Sequence, residues 1–382
     1  MEKSKIVFIT HYSSMNGANQ SLLTLITYLK KRIEINKVII YGKNNVEKGL
    51  PQELKKIGIP YEVLHLQPFL YYSGFKSFLA LPIKFLSNIP AWLKLYKNLE
   101  NCSIDYIYSN SSVENTGVFI ANLLGVNHIW HIREFGYRDY KYFHIGGDFL
   151  KRKIFDKSDC LIAISKSIAS YIGLPAKTEL IPNGIFYEKE LENIDTNLML
   201  LPEIQLGMVG LISSTKNQER ALEVVHRIKK RTNKNVQLNF FGGVGDKNYS
   251  NHLKKIIEKL HLQDSVSFKG FVNSKKRIYS NIDILLMCSP NEAFGRVTVE
   301  AMAFGIPVIG YNNAGTAELI SDGENGLLYD DETKSLEDCL MKLIENDSLF
   351  TTISEKAKIS AHTYSVERYG ESIFNLLSEP NV

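Results

Sequence analysis

The sequence predicts an α/β protein built from two doubly wound parallel sheets. Its 382 residues are enough for two domains with full cores. Short apolar runs with strand character alternate with segments of helical periodicity in both halves, a pattern typical of parallel strands joined by crossover helices. The polar, charged segment between Asn183 and Leu206 indicates a linker between the two domains.

Each half contains enough strand-like runs for a sheet of its own. The runs are KIVFIT, KVIIYG, YEVLHL, IDYIYSN, HIWHIRE and CLIAIS in the first half, and QLGMVG, VQLNFFGG, VSFKGF, DILLMCS and PVIGY in the second. The residues near Ser365 to Leu377 are amphipathic and predict a terminal helix. Ligands of such sheets bind beyond the carboxyl ends of the strands, so the residues that follow each strand are candidate site residues.

Composition excludes several functional classes. Hydrophobic residues make up 44% and charged residues 23% of the chain, and the net charge of +4 is too small to indicate nucleic-acid binding. The four cysteines show neither metal-ligand spacing nor a disulfide framework, which fits a reducing cytoplasm. We expect no signal peptide, because the N-terminal residues lead directly into a predicted strand, and no membrane span, because no apolar run reaches the roughly 18 residues that a span needs. We therefore expect a cytoplasmic protein.

Two glutamates eight residues apart, Glu292 and Glu300, are the strongest candidates for ligand contact. Glu292 lies in a loop after the apolar run ILLMCS, whereas Glu300 lies in an apolar run that predicts a helix. A carboxylate in a buried helix is costly unless it is paired or hydrogen-bonded. The alternative to ligand binding is that Glu292 is solvated and that Glu300 pairs with a core arginine or lysine.

The helix that carries Glu300 is predicted to begin at Gly295 or Arg296. Its first turn offers unpaired N–H groups and a partial positive charge, which favour phosphate. The backbone amides of Ala293, Phe294 and Gly295 come to the same point. Glu300 lies on the same face of the helix as several apolar residues, so its side chain is predicted to point toward the interior of the domain and away from solvent. Carboxylates beside a helix N-terminus suit a ligand with both sugar hydroxyls and phosphate.

The same segment resembles a known family. The pattern E-x7-E, followed by EAMAFGIPVI and AGTAELISDGENGLL, is similar to the retaining glycosyltransferases of family 4, which have the GT-B fold. The resemblance runs from Gly17 to the final helix and is most specific from Glu292 to Leu328. It implies two Rossmann-like domains with a cleft between them. It also implies transfer of a sugar from a UDP-, GDP- or dTDP-linked donor with the anomeric configuration kept.

The resemblance also implies how the domains divide the work. Residues 1–190 would bind the acceptor, residues 204–362 would bind the nucleotide-sugar donor, and a helix within 363–382 would cross back to the first domain. Enzymes of this kind commonly build capsule, cell-wall or lipid-linked polysaccharide, so a saccharide or lipid-linked saccharide is the expected acceptor. The sequence identifies neither the sugar nor the acceptor.

Several residues of the second half acquire donor-binding roles from this resemblance. Lys216, which follows the strand QLGMVG, would neutralise the diphosphate leaving group; the alternative is an exposed loop lysine. Glu292 and the amides of Ala293 to Gly295 would hold the transferred sugar, and Glu300 would accept from the ribose hydroxyls. Phe271 and Val272, after the strand VSFKGF, would meet the nucleobase.

One position departs from the family pattern. Family members usually carry an arginine just after the glycine of the strand QLGMVG, and here that position is Leu211. We hypothesise that Arg296, in the first turn after the Glu292 loop, partly replaces the missing charge. The alternative is that Arg296 is a surface residue. The glycine cluster FGGVGD lacks dinucleotide-binding spacing and is predicted to let the chain turn closely past the donor.

In the first half, two loops carry the candidate residues. Asn16 and Gly17 lie between the first strand and a helix predicted to begin near Asn19 to Ser21. The resemblance places Gly17 against the donor phosphates and Asn16 toward the acceptor. In WHIREFG, His131 matches a family histidine beside the transferred sugar, which would make it catalytic with Glu292 and Lys216; the alternative is a structural histidine. Arg133 and Glu134 follow His131, and they would either bind the acceptor or pair with each other.

The stretch Leu70 to Leu99 is aromatic, apolar and basic, with Lys76, Lys84, Lys94 and Lys97. Such stretches lie on anionic membrane surfaces, so we expect peripheral contact with the inner face of a membrane or with a lipid acceptor. The alternative is a pair of core helices around Pro82 and Pro90.

No D-x-D triplet occurs in the sequence, so we expect no metal ion and no cofactor other than the donor. The leaving nucleotide would be neutralised by helix amides, Lys216 and Arg296. Two other functions stay open: a nucleotide-sugar epimerase of related fold, and a non-catalytic partner subunit. The E-x7-E spacing favours the transferase over the epimerase, and Leu211 is the observation that favours a partner subunit.

Overall fold

The computed structural model describes residues 4–42, 46–68, 70–72, 79–140, 142–144, 147–194, 203–330 and 335–378. The chain divides into two compact units. The first unit comprises the residues up to Gly184 together with those from Val366 onward, and the second runs from Ile185 to Ser365.

The first unit contains a seven-stranded parallel sheet of order β3-β2-β1-β5-β6-β8-β9. Its strands are β1 (Lys5–Thr10), β2 (Glu34–Tyr41), β3 (Tyr61–Leu64), β5 (Tyr106–Asn110), β6 (Asn127–Ile132), β8 (Cys160–Ala163) and β9 (Thr178–Leu180). A separate antiparallel pair is formed by β4 (Leu70–Tyr72) and β7 (Tyr142–His144).

Helices cover both faces of this sheet. They are α1 (Gly17–Leu29), α2 (Leu50–Lys56), α3 (Leu81–Leu99), α4 (Thr116–Leu124), α5 (Tyr137–Tyr140), α6 (Gly147–Phe155), α7 (Lys166–Ile172) and the terminal helix α16 (Val366–Ser378). Alternate residues of β1 pack to opposite sides: Ile6 and Phe8 join α1 and α16, whereas Val7 and Ile9 join α3 and α4. Burial on both faces explains why the strand sequences are almost continuously apolar.

The terminal helix begins and ends within one residue of its prediction and packs on α1 of the first unit. The contact is close at Gly370, where an added Cβ would lie 2.2 Å from the ring of Tyr28. Glu371 accepts a hydrogen bond of 2.9 Å from the Tyr28 hydroxyl and forms an ion pair with Arg32. Only glycine fits so near an aromatic ring, and this explains Gly370 in an otherwise amphipathic helix.

The alternative of two core helices around Pro82 and Pro90 does not hold, because one helix, α3, contains both prolines. Pro82 lies in the first turn, where no N–H partner is needed. Pro90 lies inside the helix on its exposed side, where the carbonyl that it leaves unpaired faces water. Lys76 belongs to residues 73–78, which lie outside the described ranges.

The second unit contains a six-stranded parallel sheet of order β12-β11-β10-β13-β14-β15. The strands are β10 (Glu203–Val209), β11 (Asn235–Phe241), β12 (Val266–Gly270), β13 (Ile284–Met287), β14 (Val308–Tyr311) and β15 (Leu327–Tyr329). The helices are α8 (Glu188–Glu192), α9 (Gln218–Ile228), α10 (Lys247–Lys259), α11 (Lys275–Tyr279), α12 (Arg296–Ala303), α13 (Ala314–Leu319), α14 (Leu336–Glu345) and α15 (Asp347–Ala361). The two doubly wound parallel sheets predicted from the sequence are confirmed.

The glycine cluster after β11 is explained by a close backbone approach within the second unit. Gly242 has φ +153°, and an added Cβ would lie 1.9 Å from the carbonyl oxygen of Gly210. The following residues form a parallel bridge between Ile212 and Val244, with the Ile212 amide donating to the Gly243 carbonyl at 2.9 Å. The glycines therefore let the loops after β10 and β11 pack against each other.

Among the described parts of the chain, no helix is long and apolar enough to cross a membrane.

Candidate functional site

The loops that follow β10 and β13 bring Lys216 and Glu292 together. These strands are neighbours at the point where the strand order of the second sheet reverses. Loops diverge at such a point and leave a crevice where ligands of open α/β sheets bind. A short 3₁₀ helix, Ser214–Lys216, places Lys216 so that its Nζ donates to Oε1 of Glu292. The topology thus joins two residues that are 76 positions apart.

The ion pair keeps the Glu292 carboxyl ionised despite its burial. The side chain of Glu292 is 14% exposed, and that of Lys216 is 33% exposed. Burial raises the pKa of the Glu292 carboxyl, but the charge and hydrogen bond of Lys216, with a hydrogen bond from Ser289, outweigh burial and lower the pKa. The site therefore combines a hydroxyl-accepting carboxylate with a partly exposed ammonium group.

The loop from Glu292 to Gly295 presents backbone donors beside this pair. Helix α12 begins at Arg296, as predicted, and its N-cap Gly295 has φ +96°, a conformation that favours glycine. The amides of Ala293, Phe294 and Gly295 have no hydrogen-bond acceptor among the described residues. Three such donors at a helix start can hold phosphate or sugar oxygens.

A second glycine fixes the position of that loop. The amide of Gly315 donates to the Glu292 carbonyl at 2.8 Å, and an added Cβ at Gly315 would lie 2.7 Å from Cα of Phe294. Asn313 supports the same loop, because its Nδ2 donates to the Pro290 carbonyl at 2.8 Å. The loop after β14 thus orders the backbone amides of the loop after β13.

Glu300 lies inside α12 and is 8% exposed, so its predicted orientation toward the domain is confirmed. Its carboxylate accepts from the Tyr279 hydroxyl at 2.9 Å and lies 3.2 Å from Nζ of Lys275. Burial lowers the pKa of Lys275, and burial followed by the charge of Glu300 raises that of Tyr279 well above its ordinary value. The structure therefore shows the ion-paired alternative for Glu300; its ribose contact stays a prediction.

The sequence analysis missed Lys275 and Tyr279, although both lie on the first helix after β12. Their signal was position: α11 follows a strand end, where site residues of such sheets concentrate. Lys275 also lies with Nζ 4.0 Å from the ring centroid of Phe186. This cation–π contact and the Glu300 pair hold the ammonium group in a largely apolar setting.

Arg296 and Leu211, the two residues of the missing-arginine hypothesis, occupy different surroundings. Arg296 is 18% exposed, and its Nη2 lies 3.7 Å from Oε1 of Glu300. Leu211 is 58% exposed directly after Gly210, at the end of β10. The partial replacement of the missing charge by Arg296 stays a prediction, since the guanidinium group contacts Glu300.

Phe271 and Val272 follow β12, which one strand separates from β10. Gly270 ends that strand with φ +66°, and its carbonyl accepts from the Gly242 amide at 2.8 Å. Phe271 is 79% exposed. A flat aromatic surface open to solvent can stack on a nucleobase, and the predicted nucleobase contact therefore has a free ring available.

In the first unit, His131 and Arg133 form a buried polar cluster at the C-terminal end of β6. The His131 side chain has no exposed surface, and its Nδ1 faces the Tyr108 hydroxyl. Arg133 donates from Nε to Oδ1 of Asn110 at 2.6 Å and from Nη2 to the Tyr369 hydroxyl at 3.0 Å. Burial, followed by the charge of Arg133, lowers the pKa of His131 well below its ordinary value. The enclosure fits the alternative of a structural histidine, and the sugar contact of His131 stays a prediction.

Arg133 and Glu134 do not pair with each other in this structure. The carboxylate of Glu134 accepts from Oγ of Ser111 at 2.7 Å and from Oγ of Ser112 at 2.6 Å. Arg133 also donates from Nη1 to Oδ1 of Asn183, where the chain leaves the first unit. Both side chains are 6% exposed, so neither offers a charged surface to an acceptor here.

Asn16 and Gly17 form the start of α1, two residues before its predicted beginning. Asn16 is the N-cap, because its side-chain oxygen accepts from the Asn19 amide at 2.9 Å. Asn19 in turn accepts from the Thr10 hydroxyl at 2.7 Å, which ties the helix to β1. Helix capping is thus a structural role for Asn16. Gly17 is exposed at the helix N-terminus, and its contact with the donor phosphates stays a prediction.

Comparisons with known proteins identify the second unit. Residues 193–360 match the family model described as glycosyl transferases group 1. This match lies within the second unit. The resemblance predicted from the E-x7-E segment is thereby confirmed at the level of this family.

Curated relatives that match about half of the chain are glycosyltransferases as well. An uncharacterized glycosyltransferase of Haemophilus influenzae is 28% identical over 192 residues, 49% of this chain and 50% of that protein. A Campylobacter jejuni N-acetylgalactosamine-N,N'-diacetylbacillosaminyl-diphospho-undecaprenol 4-alpha-N-acetylgalactosaminyltransferase is 25% identical over 226 residues, 56% of this chain and 59% of that protein. The chain thus spans about half the length of the curated relatives it matches.

A solved structure, Anabaena HepE in complex with UDP-glucose, superposes with a TM-score of 0.79 at 20% identity. The match covers 98% of this chain and 99% of that protein. At this level of identity the likeness shows the fold, and the GT-B fold predicted from the sequence is confirmed.

Proposed function

We propose that this protein is a glycosyltransferase that moves a sugar from a nucleotide diphosphate donor to an acceptor hydroxyl and keeps the anomeric configuration. The observation that carries the proposal is the Lys216–Glu292 pair beside three amides without acceptors, at the reversal point of a group 1 glycosyltransferase domain. A carboxylate, an ammonium group and free N–H donors match the hydroxyls and phosphates of one ligand.

Each group has a distinct task in this reaction. As the bond between the anomeric carbon and the diphosphate breaks, negative charge grows on the leaving oxygen, and Lys216 stabilises it. The amides at the start of α12 neutralise the remaining phosphate charge. Glu292, kept ionised by Lys216, accepts from sugar hydroxyls and orients the ring. The acceptor hydroxyl attacks from the leaving-group face and gives its proton to the departing phosphate.

We infer that UDP is the donor nucleotide and that no metal ion takes part. The support for UDP is the fold shared with HepE, which was solved with UDP-glucose. The support for metal independence is the supply of positive charge from Lys216 and the helix start. Metal-free turnover is tested by adding a chelator: activity that vanishes and returns with a divalent cation contradicts this part of the proposal.

We infer that the acceptor is a saccharide, free or lipid-linked, in the synthesis of a surface polysaccharide. The support is the Campylobacter jejuni relative, whose name gives a diphospho-undecaprenol acceptor. The assignment of donor binding to the second unit and acceptor binding to the first is part of the same proposal.

A specific observation favours a second function, that of a non-catalytic partner subunit. Leu211 presents an exposed apolar side chain where the family pattern has an arginine. A chain that no longer needed to bind a diphosphate would tolerate that loss. The retained pair of Lys216 and Glu292 favours the enzyme, because a buried ion pair without function is readily replaced by apolar residues.

The deciding experiment is a screen of UDP-, GDP- and dTDP-sugars for thermal stabilisation and slow donor hydrolysis. Hydrolysis of one donor by the wild type, lost in Glu292→Ala but kept in Glu258→Ala, supports the transferase. Glu258 is a suitable control because it is exposed on α10 of the same unit. Binding of no donor supports the partner subunit, and hydrolysis that survives Glu292→Ala contradicts the role of Glu292.

The contribution of Arg296 is tested in the same assay. Arg296→Ala is expected to raise the KM for the donor several-fold, because a cation near the phosphates is removed. Unchanged donor affinity and turnover would show that Arg296 serves Glu300 alone.

A further inference from the structure

Three helices, α3, α4 and α6, form one outer layer on the first sheet. Leu95 of α3 and Ile120 of α4 belong to one core cluster with Ile107 of β5. Phe155 of α6 packs edge-on against Trp130, with ring centroids 4.8 Å apart. Trp130 is the register partner of Ser109, two residues beyond Ile107 on the same strand, so it faces the same side of the sheet. All three helices therefore cover one face.

The outward side of this layer is unusually apolar. Of seventeen exposed large hydrophobic side chains among the described residues, eight lie on these three helices. On α3, Ile83 is 70%, Leu86 64% and Leu93 58% exposed, in a spacing that makes one stripe along the helix. On α6, Phe149 is 70% exposed. Exposed apolar residues that line up in this way mark an interaction surface.

The strand pair β4–β7 lies before the N-terminal ends of α3 and α6 in the sequence. β4 precedes α3 and β7 precedes α6, and the two strands pair from Leu70 to Tyr72. Lys84 reinforces this link, because its Nζ donates to the Leu70 carbonyl at 2.8 Å. The first turns of α3 are therefore held to β4, which pairs with the strand that precedes α6.

Beside Phe149 lies an open groove of about 550 Å³. It is lined by Asp148, Phe149, Arg152, Lys153, Asp156 and Leu174. Nζ of Lys153 lies 4.4 Å from the ring centroid of Phe149. The groove thus combines an apolar wall with two cations, a composition suited to an anionic head group attached to a hydrocarbon chain.

The acidic residues of the groove are already neutralised. Asp148 pairs with Lys151 at 2.9 Å, and Asp156 pairs with Lys177 at 3.2 Å. Neither Arg152 nor Lys153 has a carboxylate partner within the described ranges, and both are exposed. The positive charge of this pair is therefore available to an external anion.

Two lysines of α3 are held by contacts within the first unit. Lys84 is bound to the Leu70 carbonyl, and Lys94 pairs with Glu62 at 2.7 Å. The helix contains no acidic residue, and Lys97 is exposed. The groove on α6 adds a second cationic site to the layer, one that sequence analysis did not single out.

We propose that this outer layer docks on an anionic lipid bilayer, with the stripe of α3 and Phe149 in the interface and a lipid phosphate bound by Arg152 and Lys153. Apolar side chains enter the boundary between head groups and acyl chains, while basic side chains beside them meet the phosphates. The apolar wall next to the two cations favours a lipid phosphate over free phosphate. The proposal stands independently of glycosyl transfer.

Flotation with vesicles of phosphatidylcholine alone, or with added phosphatidylglycerol, tests the proposal. The wild type is expected to float with the anionic vesicles only. Arg152→Glu with Lys153→Glu should lower partitioning at least roughly 30-fold, since each basic residue beside an anionic leaflet contributes about fivefold. The matched control is Lys254→Glu with Lys255→Glu, which reverses two exposed charges on α10 of the second unit and should float like the wild type.

The apolar stripe is tested in the same way. Ile83→Ser with Leu86→Ser should reduce flotation, whereas Ile359→Ser, a change at a residue 71% exposed on the second unit, should not. Circular dichroism confirms folding of each variant, and Arg152→Gln with Lys153→Gln replaces the glutamate pair if that fails to fold.

Three results would overturn the proposal. The first is equal flotation with neutral and anionic vesicles, and the second is wild-type flotation of the Arg152/Lys153 variant. The third is thermal stabilisation by inorganic phosphate without vesicle binding, which would show an anion site that is not a membrane site. Donor hydrolysis measured without vesicles reports on the proposed reaction separately, so failure of one leaves the other intact.

Discussion

Replacing Lys216 by methionine tests whether the Lys216–Glu292 pair is as important as its position suggests. Methionine keeps the length and apolar stem of lysine but removes its charge. The Glu292 carboxylate, 14% exposed, would then lie in a largely buried place without a cation. The variant thus isolates the electrostatic contribution from the packing.

The cost to stability follows from how deeply the pair is buried. Removing one partner of a fully buried pair costs about 3–5 kcal/mol, whereas an exposed pair contributes about 0–1 kcal/mol. Lys216 is 33% exposed, so we expect an intermediate loss of about 2 kcal/mol. For a unit of this size that corresponds to a fall in Tm of roughly 4–8 °C.

A double-mutant cycle separates this cost from the chemistry. Lys216→Met with Glu292→Gln carries no unpaired charge, and should therefore be more stable than Lys216→Met alone by about 1 kcal/mol or more. Donor hydrolysis should nevertheless fall at least about 100-fold in both single variants and in the double variant, because each lacks a group that stabilises the reacting donor. Stability is measured by urea unfolding and hydrolysis by nucleotide release.

The pH dependence supplies an independent check. In the wild type the pKa of Glu292 is lowered, so the pair stabilises the fold above the ordinary carboxyl value and this stability is lost as pH falls through the lowered pKa. In Lys216→Met the charge and hydrogen bond of Lys216 are lost, and burial, opposed by the Ser289 hydrogen bond, is expected to raise that pKa. The variant's defect should therefore be largest near neutral pH and shrink as the carboxyl is protonated. A defect that does not change with pH, or hydrolysis within threefold of the wild type, would refute the reasoning.

Three further predictions concern single residues. Gly242→Ala should cost at least about 2–3 kcal/mol in urea unfolding, because its Cβ would lie 1.9 Å from the Gly210 carbonyl oxygen, whereas Gly58→Ala, with nothing within 4 Å, should cost about 1 kcal/mol or less. Leu211→Arg should lower the KM for the nucleotide sugar several-fold by adding a cation near the phosphates; no change would place the diphosphate elsewhere. His131→Ala should lower stability by about 2 kcal/mol or more while leaving the donor KM unchanged, since its side chain is enclosed; a raised KM at unchanged Tm would instead indicate a sugar contact.

Periodicity and strand chemistry were sufficient to predict the fold. Strands buried on both faces must be apolar throughout, so runs such as KIVFIT and DILLMCS could be recognised without knowledge of their neighbours. The start of α12 was predictable because Gly295 allows the backbone conformation at its N-cap. Pro90 does not divide α3, because a proline is tolerated inside a helix where its side of the helix faces water.

Partners of buried polar groups could not be predicted, because they depend on contacts between distant segments. Glu114 shows this: its side chain is fully buried and accepts from the Tyr41 hydroxyl at 2.6 Å and from the Gly117 amide at 3.0 Å. Nothing in the local sequence around Glu114 points to Tyr41. The same holds for His131 and Arg133, whose positions at the end of β6 suggested ligand contact although both side chains are buried.

The two glutamates of the E-x7-E pattern show why a motif identifies a site more readily than it assigns roles. Both carboxylates are held by lysines in this structure, but only Glu292 pairs with a lysine from the loop of a neighbouring strand at the reversal point of the sheet. Glu300 pairs within a more enclosed cluster that includes Tyr279. A ligand hydroxyl can compete with one partly exposed lysine more easily than with a partly exposed lysine and a buried tyrosine together. The ion pair of Glu292 should therefore be the more easily opened of the two when the donor binds. Glu300→Gln should lower stability more than it lowers turnover.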